Sequence, residues 1–139
     1  MGFTFKLDRS RFSKWHKQDN PGGILTFVHE GSESALQFTY RKYTGPKTLD
    51  LSPPKLIQLA TNGIEKVRDP KQRLCASGEC DFGNFGTIVL KGGVPVHFQA
   101  WVLASNRAEI IYVTYICSVE PDAQEALEAH QMAMRTSFE

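Results

Sequence analysis

The alternation of apolar and polar residues predicts a β-hairpin in the first third of the chain. The segments GILTFVHE (Gly23–Glu30) and ALQFTYRK (Ala35–Lys42) alternate as strands do, and GSES between them has the composition of a turn. In the second segment the large apolar residues Leu36, Phe38 and Tyr40 fall on one face. The pattern therefore predicts a strand with one buried face.

A helical period follows in LSPPKLIQLATNGIEKVRD and predicts a helix near residues 52–68. Ser52 suits the N-cap, and Pro53 suits the first helical position, where its missing N–H costs nothing. The apolar residues at three- and four-residue steps are Leu56, Leu59, Ala60, Ile64 and Val67. The dipeptide Asp69–Pro70 favours an end to the helix just before it.

Three long strands are predicted in the second half, in GTIVLKG, VPVHFQAWVLAS and AEIIYVTYICSV. The last two carry large apolar residues on both alternating faces, which is typical of central strands covered on both sides. A closing helix near residues 121–136 is predicted in EPDAQEALEAHQMAM, with Pro121 in its first turn. Its predicted apolar stripe consists of Ala123, Ala126, Leu127, His130, Ala133 and Met134.

Together these elements predict an α+β fold, an antiparallel β-sheet of about five or six strands flanked by helices as an α/β/α sandwich. The 139 residues are enough for a single domain, 1–139. Hydrophobic residues make up 41% and charged residues 22%, so neither disorder nor a membrane span is indicated. The start, MGFTFKLDRSRF, has no apolar stretch of signal-peptide length, and three cysteines do not form a disulfide framework. We therefore expect a cytoplasmic protein with reduced thiols.

The segment LCASGECDFGNFG raises the question of a metal or redox site. Cys75 and Cys80 are separated by four residues, whereas zinc and redox motifs favour two, and no second Cys/His pair has zinc-ligand spacing. We interpret the segment as a turn with inert thiols leading into a strand, and predict neither metal nor cofactor. Gly83 and Gly86 are interpreted as a bulge or turn. A local disulfide between the two cysteines is the alternative, because Ser77–Gly78 can turn the chain.

Cys117 and His97 are the one cysteine–histidine pair on neighbouring predicted strands. Such a pair can act as a nucleophile and its general base. Cys117, however, shares a strand face with Ile111, Val113 and Tyr115, as a buried inert cysteine does. We therefore predict that the protein is not an enzyme. A small thiol-dependent enzyme using Cys117 and His97 is the alternative.

The charges suggest two further surfaces, although the net charge is only +1. The segment KLDRSRFSKWHKQ interleaves cations with aromatic residues, as single-stranded nucleic-acid binders do: Arg9, Arg11, Lys14 and Lys17 with Phe12 and Trp15. Since the chain is nearly neutral overall, we favour a surface segment whose aromatic rings anchor it to the sheet. On the closing helix, Asp122, Glu125 and Glu128 are predicted to form an exposed acidic strip that docks a basic protein partner.

The order of hairpin, helix, three long strands and closing helix resembles the PsbP/Mog-like domains, which include bacterial DcrB-like proteins. The resemblance is carried by LSPPKLIQLATNGIEK, GGVPVHFQAWVLASNRAEIIYVTYICSV and AQEALEAHQMAMRTSF. It implies a non-catalytic binding scaffold, because members of the family act as assembly factors, GTPase binders and chaperones of secreted toxins. A short, single-domain, cytoplasmic chain is also suited to an immunity protein or adaptor whose partner is a cognate bacterial toxin.

Overall fold

The protein is described from a computed structural model, which covers residues 2–7, 9–20, 24–44 and 51–139. The strands are β1 (Phe3–Phe5), β2 (Trp15–Asn20), β3 (Ile24–His29), β4 (Ala35–Lys42), β5 (Gln72–Cys80), β6 (Gly83–Lys91), β7 (His97–Ala104), β8 (Glu109–Cys117) and β9 (Thr136–Phe138). The helices are α1 (Pro53–Ala60) and α2 (Ala123–Met134), with short 3-10 helices at Arg9–Phe12 and Thr61–Lys66.

Seven strands form one antiparallel sheet in the order β2-β3-β4-β8-β7-β6-β5, and β1 pairs with β9 in a separate two-stranded sheet. The predicted α+β class is confirmed, as are the β3–β4 hairpin and the central position of β7 and β8. The sheet has more strands than predicted because both of its edges were missed. β2 reads WHKQDN and β5 reads QRLCASGEC, and neither sequence has the β-branched residues that mark a strand.

β5 overturns the interpretation of the cysteine segment as a turn. Leu74–Cys80 runs extended along β6, with Cys75 opposite Ile88, and the chain reverses at Asp81 and Phe82 instead. Both cysteines are free thiols. Five residue-to-residue steps along an extended strand place their Cα atoms about 16 Å apart, far beyond the roughly 4.4–6.8 Å between Cα atoms that a disulfide spans, so the local disulfide is incompatible with this strand.

α1 packs against one face of the sheet, over β5, β6 and β7. Its buried residues Leu56 and Ala60 join the inner side chains of β6 and β7 in one of two hydrophobic clusters. Gly86 permits the close contact, because a Cβ at that position would lie 2.5 Å from the backbone nitrogen of Ile57. The α-helix is shorter than predicted, since Thr61–Asn62–Gly63 has low helix propensity and continues as the 3-10 helix.

α2 packs against the opposite face, in the larger hydrophobic cluster. Asp122 caps it by accepting a 2.7 Å hydrogen bond from the Glu125 N–H, so Pro121 precedes the helix rather than lying in its first turn. The helix is rotated from the predicted orientation. Its buried residues are Glu125, Ala129, Met132 and Ala133, while Leu127 is 49% exposed. The alanines of this helix lie within an arc of about 120° that overlaps both the predicted stripe and the buried face, so they did not distinguish the two.

The coverage of the two faces differs. On the α2 side, the segment containing Phe12 and Trp15 and the aromatic residues of β1 and β9 complete the larger cluster. On the other side, α1 is the one α-helix in the described residues. A helix about 10 Å wide covers only two or three strands spaced about 4.8 Å apart. Apart from Ile110 and Tyr112 of β8, which pack in the α1 cluster, that face of β2, β3, β4 and β8 therefore lies outside the cover of α1, and we call it the open half-face.

None of the helices in the described residues is both long enough and apolar enough to cross a membrane.

Candidate functional site

A buried polar cluster joins α2 to the sheet, and its centre is Glu125. The carboxyl group accepts a hydrogen bond from Tyr115 Oη on β8 and another, 2.6 Å long, from Ser32 Oγ in the turn after β3. Ser32 Oγ also lies 2.8 Å from Ser34 Oγ. Glu125 is only 3% exposed. The cluster therefore satisfies a carboxyl group that would otherwise be buried without partners.

His29 borders this cluster, and its Nδ1 lies 3.3 Å from Ser32 Oγ. The Gly31 N–H donates to His29 Nδ1 at 3.2 Å, so this nitrogen acts as an acceptor. Its 3.3 Å approach to Glu125 Oε1 is therefore a contact between two acceptors rather than a charged hydrogen bond. Ser32 donates its hydrogen bond to Glu125 rather than to His29, so the three groups do not form a relay from serine through histidine to carboxylate.

Cys117 and His97 are brought together as directly opposed residues of β8 and β7. Both are buried, and burial raises the pKa of the Cys117 thiol and lowers the pKa of His97. Neither ring nitrogen of His97 has a hydrogen-bond partner in the described part of the chain, so His97 does not contact the thiol as a base would. A raised thiol pKa reduces the thiolate fraction, and thiolate is the reactive form.

Tyr115 lies between these groups. Its ring packs edge-on against His97 at 5.4 Å, and burial raises its pKa well above the ordinary phenol range. It therefore stays a hydrogen-bond donor to Glu125 at neutral pH. Within the residues that the structure describes, no three His, Cys, Asp or Glu side chains are placed to hold a metal ion.

The predicted acidic strip does not exist as one surface. Glu125 faces the core instead of solvent, because the orientation of α2 turns it toward Tyr115 and Ser32. Asp122 caps the helix, and the half-buried Glu128 accepts a 3.0 Å hydrogen bond from Trp15 Nε1. The expectation that all three carboxylates face outward is wrong. A docking role for them stays a prediction, and Asp122 and Glu128 would have to carry it.

The basic N-terminal segment is also anchored. Phe12 and Trp15 are both buried in the larger cluster, as expected for a segment held to the sheet by its aromatic rings. Stacking on nucleic-acid bases requires exposed rings, so these two residues do not provide it in this conformation. Lys14 and Lys17 are exposed. His130, which the sequence placed in the apolar stripe of the closing helix, is half-buried, and its Nδ1 accepts a 3.1 Å hydrogen bond from Trp101 Nε1.

The open half-face is the most distinctive accessible surface. Ile116 belongs to β8, which lies between β4 and β7 in the sheet, yet Ile116 is 42% exposed. Its direct cross-strand neighbours are the apolar Ala35 and Phe98. Further along the same face of β4 and β8 the side chains are polar and half-buried, namely Gln37, Thr39, Tyr112 and Thr114. A large aliphatic side chain is therefore exposed in a strand that has neighbours on both sides.

Two recesses lie along this surface. One, of about 480 Å³, is apolar and is lined by Val94, Pro95, Phe98 and Ile116, with Lys66 at its border. The other, of about 500 Å³, is lined by Thr39, Arg41, Lys42, Tyr43, Ile110 and Tyr112. Tyr112 of one recess and Ile116 of the other are four residues apart on β8, which corresponds to about 13 Å along the strand. The charged residues that line them are all cationic.

No protein-family model matches the sequence, and no curated protein matches it. Among solved structures, the solution structure of cyanobacterial PsbP (CyanoP) from Synechocystis sp. PCC 6803 is similar, with a TM-score of 0.57. The alignment covers 99% of this chain and 93% of the cyanobacterial chain, at 13% sequence identity. This chain has a PsbP-like fold. The resemblance inferred from the order of elements is thereby confirmed at the level of the fold, which is all that such low identity shows.

Sequence reasoning missed the distinctive surface of this PsbP-like fold. Ile116 lies in a strand predicted to be covered on both faces, and its exposure depends on how far α1 extends across the sheet. The sequence feature nearest to this surface is the apolar run Val94–Pro95–Val96 before β7. In the structure Val94 is 68% exposed and borders the recess beside Ile116.

Proposed function

We propose that this protein is a non-catalytic protein-binding module whose partner docks on the open half-face. The observation that carries the proposal is the exposure of Ile116 in the interior of the sheet, beside the exposed Val94. Interfaces are built around a few apolar anchors surrounded by polar groups. Ile116 lies beside the apolar Ala35 and Phe98, and the polar side chains of β4 and β8 border this group, which gives the same composition.

The charges bordering the recesses specify the kind of partner. Arg41 and Lys42 line one recess and Lys66 lines the other, and all three are exposed. The complementary partner is therefore a protein segment that presents apolar side chains flanked by acidic ones. The buried Cys117 and Tyr115 would act in this proposal as parts of the core rather than as reactive groups.

Within this proposal, an immunity protein or a chaperone of a secreted bacterial toxin is the finer role that the sequence resemblance favours. The partner would then be the cognate toxin or effector. Photo-crosslinking at position 116 identifies the partner without assuming this role.

The test places the photo-crosslinking residue p-benzoylphenylalanine at Ile116, and separately at Leu127 as the control. The two positions are similarly exposed, at 42% and 49%, but Leu127 lies on α2, on the other side of the sheet. After irradiation in the source cells, crosslinked proteins are identified by mass spectrometry. We expect one protein to be enriched at position 116 and absent at position 127, and the added change Val94→Asp to reduce its yield.

Two results would overturn the proposal. The first is a set of crosslinked proteins that is the same at positions 116 and 127. The second is a crosslinked protein at position 116 whose yield Val94→Asp does not change, because a specific partner must also occupy the recess bordered by Val94.

A further inference from the structure

The edge strand β5 presents an unusually open backbone. It is nine residues long, about 30 Å, and no other described strand pairs with its outer side. Seven of its residues are exposed. Natural sheets protect such edges with charges, prolines, bulges or short strands, and β5 contains no proline and only two charged residues. By comparison, the opposite edge β2 has six residues and includes Lys17 and Asp19.

The two charges of β5 are placed symmetrically. Arg73 and Glu79 lie three residues before and three residues after Ala76. If a second copy of β5 paired antiparallel with the first and the two-fold axis passed at Ala76, each Arg73 would lie directly opposite a Glu79 of the other copy. This is the antiparallel register that pairs both charged residues, and its two-fold symmetry produces two Arg73–Glu79 pairs. The Arg73 and Glu79 side chains lie on the same face of the strand, because they are six positions apart and side chains alternate between faces.

We infer that the β5 edge pairs with the β5 edge of a second copy of this chain, in the antiparallel register centred on Ala76, to form a continuous fourteen-stranded sheet. The evidence is the open edge together with its charge self-complementarity. Opposite charges that face each other across antiparallel strands favour pairing, whereas like charges oppose it. In such a two-fold dimer the same surface patch contacts itself.

The inference is independent of the proposed function. β5 lies at the end of the sheet covered by α1, and the open half-face lies at the other end. Dimerisation through β5 would therefore leave both open half-faces free and place them at opposite ends of the joint sheet. A dimer could form even if the half-face bound nothing, and the half-face could bind a partner in a monomer.

A crosslinking test measures the register directly. The register places Ala76 opposite its own copy, at a Cα separation of about 4.5–5.5 Å, which a disulfide can bridge. In a Cys75→Ser, Cys80→Ser background, we expect Ala76→Cys to form a disulfide-linked dimer under mild oxidation. The control is Leu74→Cys, an exposed position on the same strand face whose two copies would be offset by four residues. It should crosslink at least about tenfold more slowly.

Charge reversal provides a second, independent test in the otherwise unchanged chain. Arg73→Glu and Glu79→Arg each place like charges opposite each other, and sedimentation over about 1 µM to 1 mM should show dimerisation weakened at least about tenfold. The double variant Arg73→Glu, Glu79→Arg restores opposite charges and should return to within about threefold of the unchanged chain. Circular dichroism checks that each variant is folded.

The inference is overturned if the unchanged chain remains monomeric up to about 1 mM. It is also overturned if a dimer forms but Ala76→Cys crosslinks no faster than Leu74→Cys, or if the double charge reversal fails to restore a dimer that the single reversals weaken. Each of these results concerns the β5 edge alone, so none of them bears on the partner of the open half-face.

Discussion

Ser32 donates a 2.6 Å hydrogen bond to Glu125, which ties the turn between β3 and β4 to the first turn of α2. These residues are 93 positions apart in the sequence. The same carboxyl group accepts a hydrogen bond from Tyr115 in the middle of the sheet. Glu125 thus holds three separate elements together, although the charge pattern suggested a surface residue.

The first prediction concerns Glu125 itself. Glu125→Lys places a cation among Tyr115, Ser32 and His29 and leaves their polar groups without the carboxylate, so we expect a loss of about 3–5 kcal/mol in the free energy of unfolding. Leu127→Lys, two residues further along α2 but half-exposed, should cost less than about 1 kcal/mol. Urea denaturation measures both. Equal costs would show that Glu125 is not buried as described.

The contrast between Glu125 and β3–β4 shows what the sequence could predict. The hairpin follows from local alternation, and both of its strands lie within a residue of their predicted bounds. The environment of Glu125 depends on partners supplied by β8 and by a distant turn, and on the rotation of an alanine-rich helix whose apolar stripe is ambiguous. β5 was missed for another reason. Its nine residues pair with β6, a strand that the sequence predicts strongly, and this pairing outweighs their weak intrinsic β-strand propensity.

The second prediction concerns the contact between α1 and β6. Gly86→Ala would place a methyl group against the backbone of Leu56 and Ile57, which cannot move without displacing the helix. We expect a destabilisation of about 1–3 kcal/mol in urea denaturation. Gly78→Ala on the neighbouring strand is the control, because its Cβ would meet only the Phe85 ring at 3.1 Å, and an aromatic side chain can shift. A Gly86→Ala protein as stable as Gly78→Ala would contradict the close packing of α1.

The third prediction concerns the order in which the thiols react. Cys75 is exposed, whereas burial raises the pKa of both Cys80 and Cys117. With an aromatic disulfide reagent at neutral pH we expect Cys75 to react first, Cys80 more slowly and Cys117 only on unfolding. Cys75→Ser should abolish the fast phase. Rapid modification of Cys117 in the folded protein would instead favour the thiol-dependent enzyme.

The fourth prediction concerns acid stability. Burial lowers the pKa of His97 and His130 below the ordinary value of 6.5. As the pH falls through 6.5 the unfolded chain takes up protons that the folded chain does not, so the stability decreases from about pH 6.5 down to the lowered pKa values and then levels off. Urea denaturation between about pH 7.5 and pH 5 should show this decrease.

His97→Phe separates the contribution of His97 from that of His130. It keeps an aromatic ring against Tyr115 and removes two buried nitrogens that have no hydrogen-bond partner in the described residues. We expect this variant to be more stable by about 1–3 kcal/mol at low pH and to depend less on pH. A steeper decrease in His97→Phe would contradict the assignment.

The central claim, that the open half-face binds a protein partner, is tested most directly by calorimetric titration of the partner identified through crosslinking at position 116. Ile116→Asp removes the apolar anchor and adds a charge opposed to the acidic partner expected from Arg41, Lys42 and Lys66, so the affinity should fall by more than about tenfold. Leu127→Asp, at a similarly exposed position on α2, should change it by less than about twofold. Unchanged affinity for Ile116→Asp, or an equal loss for Leu127→Asp, would contradict the claim.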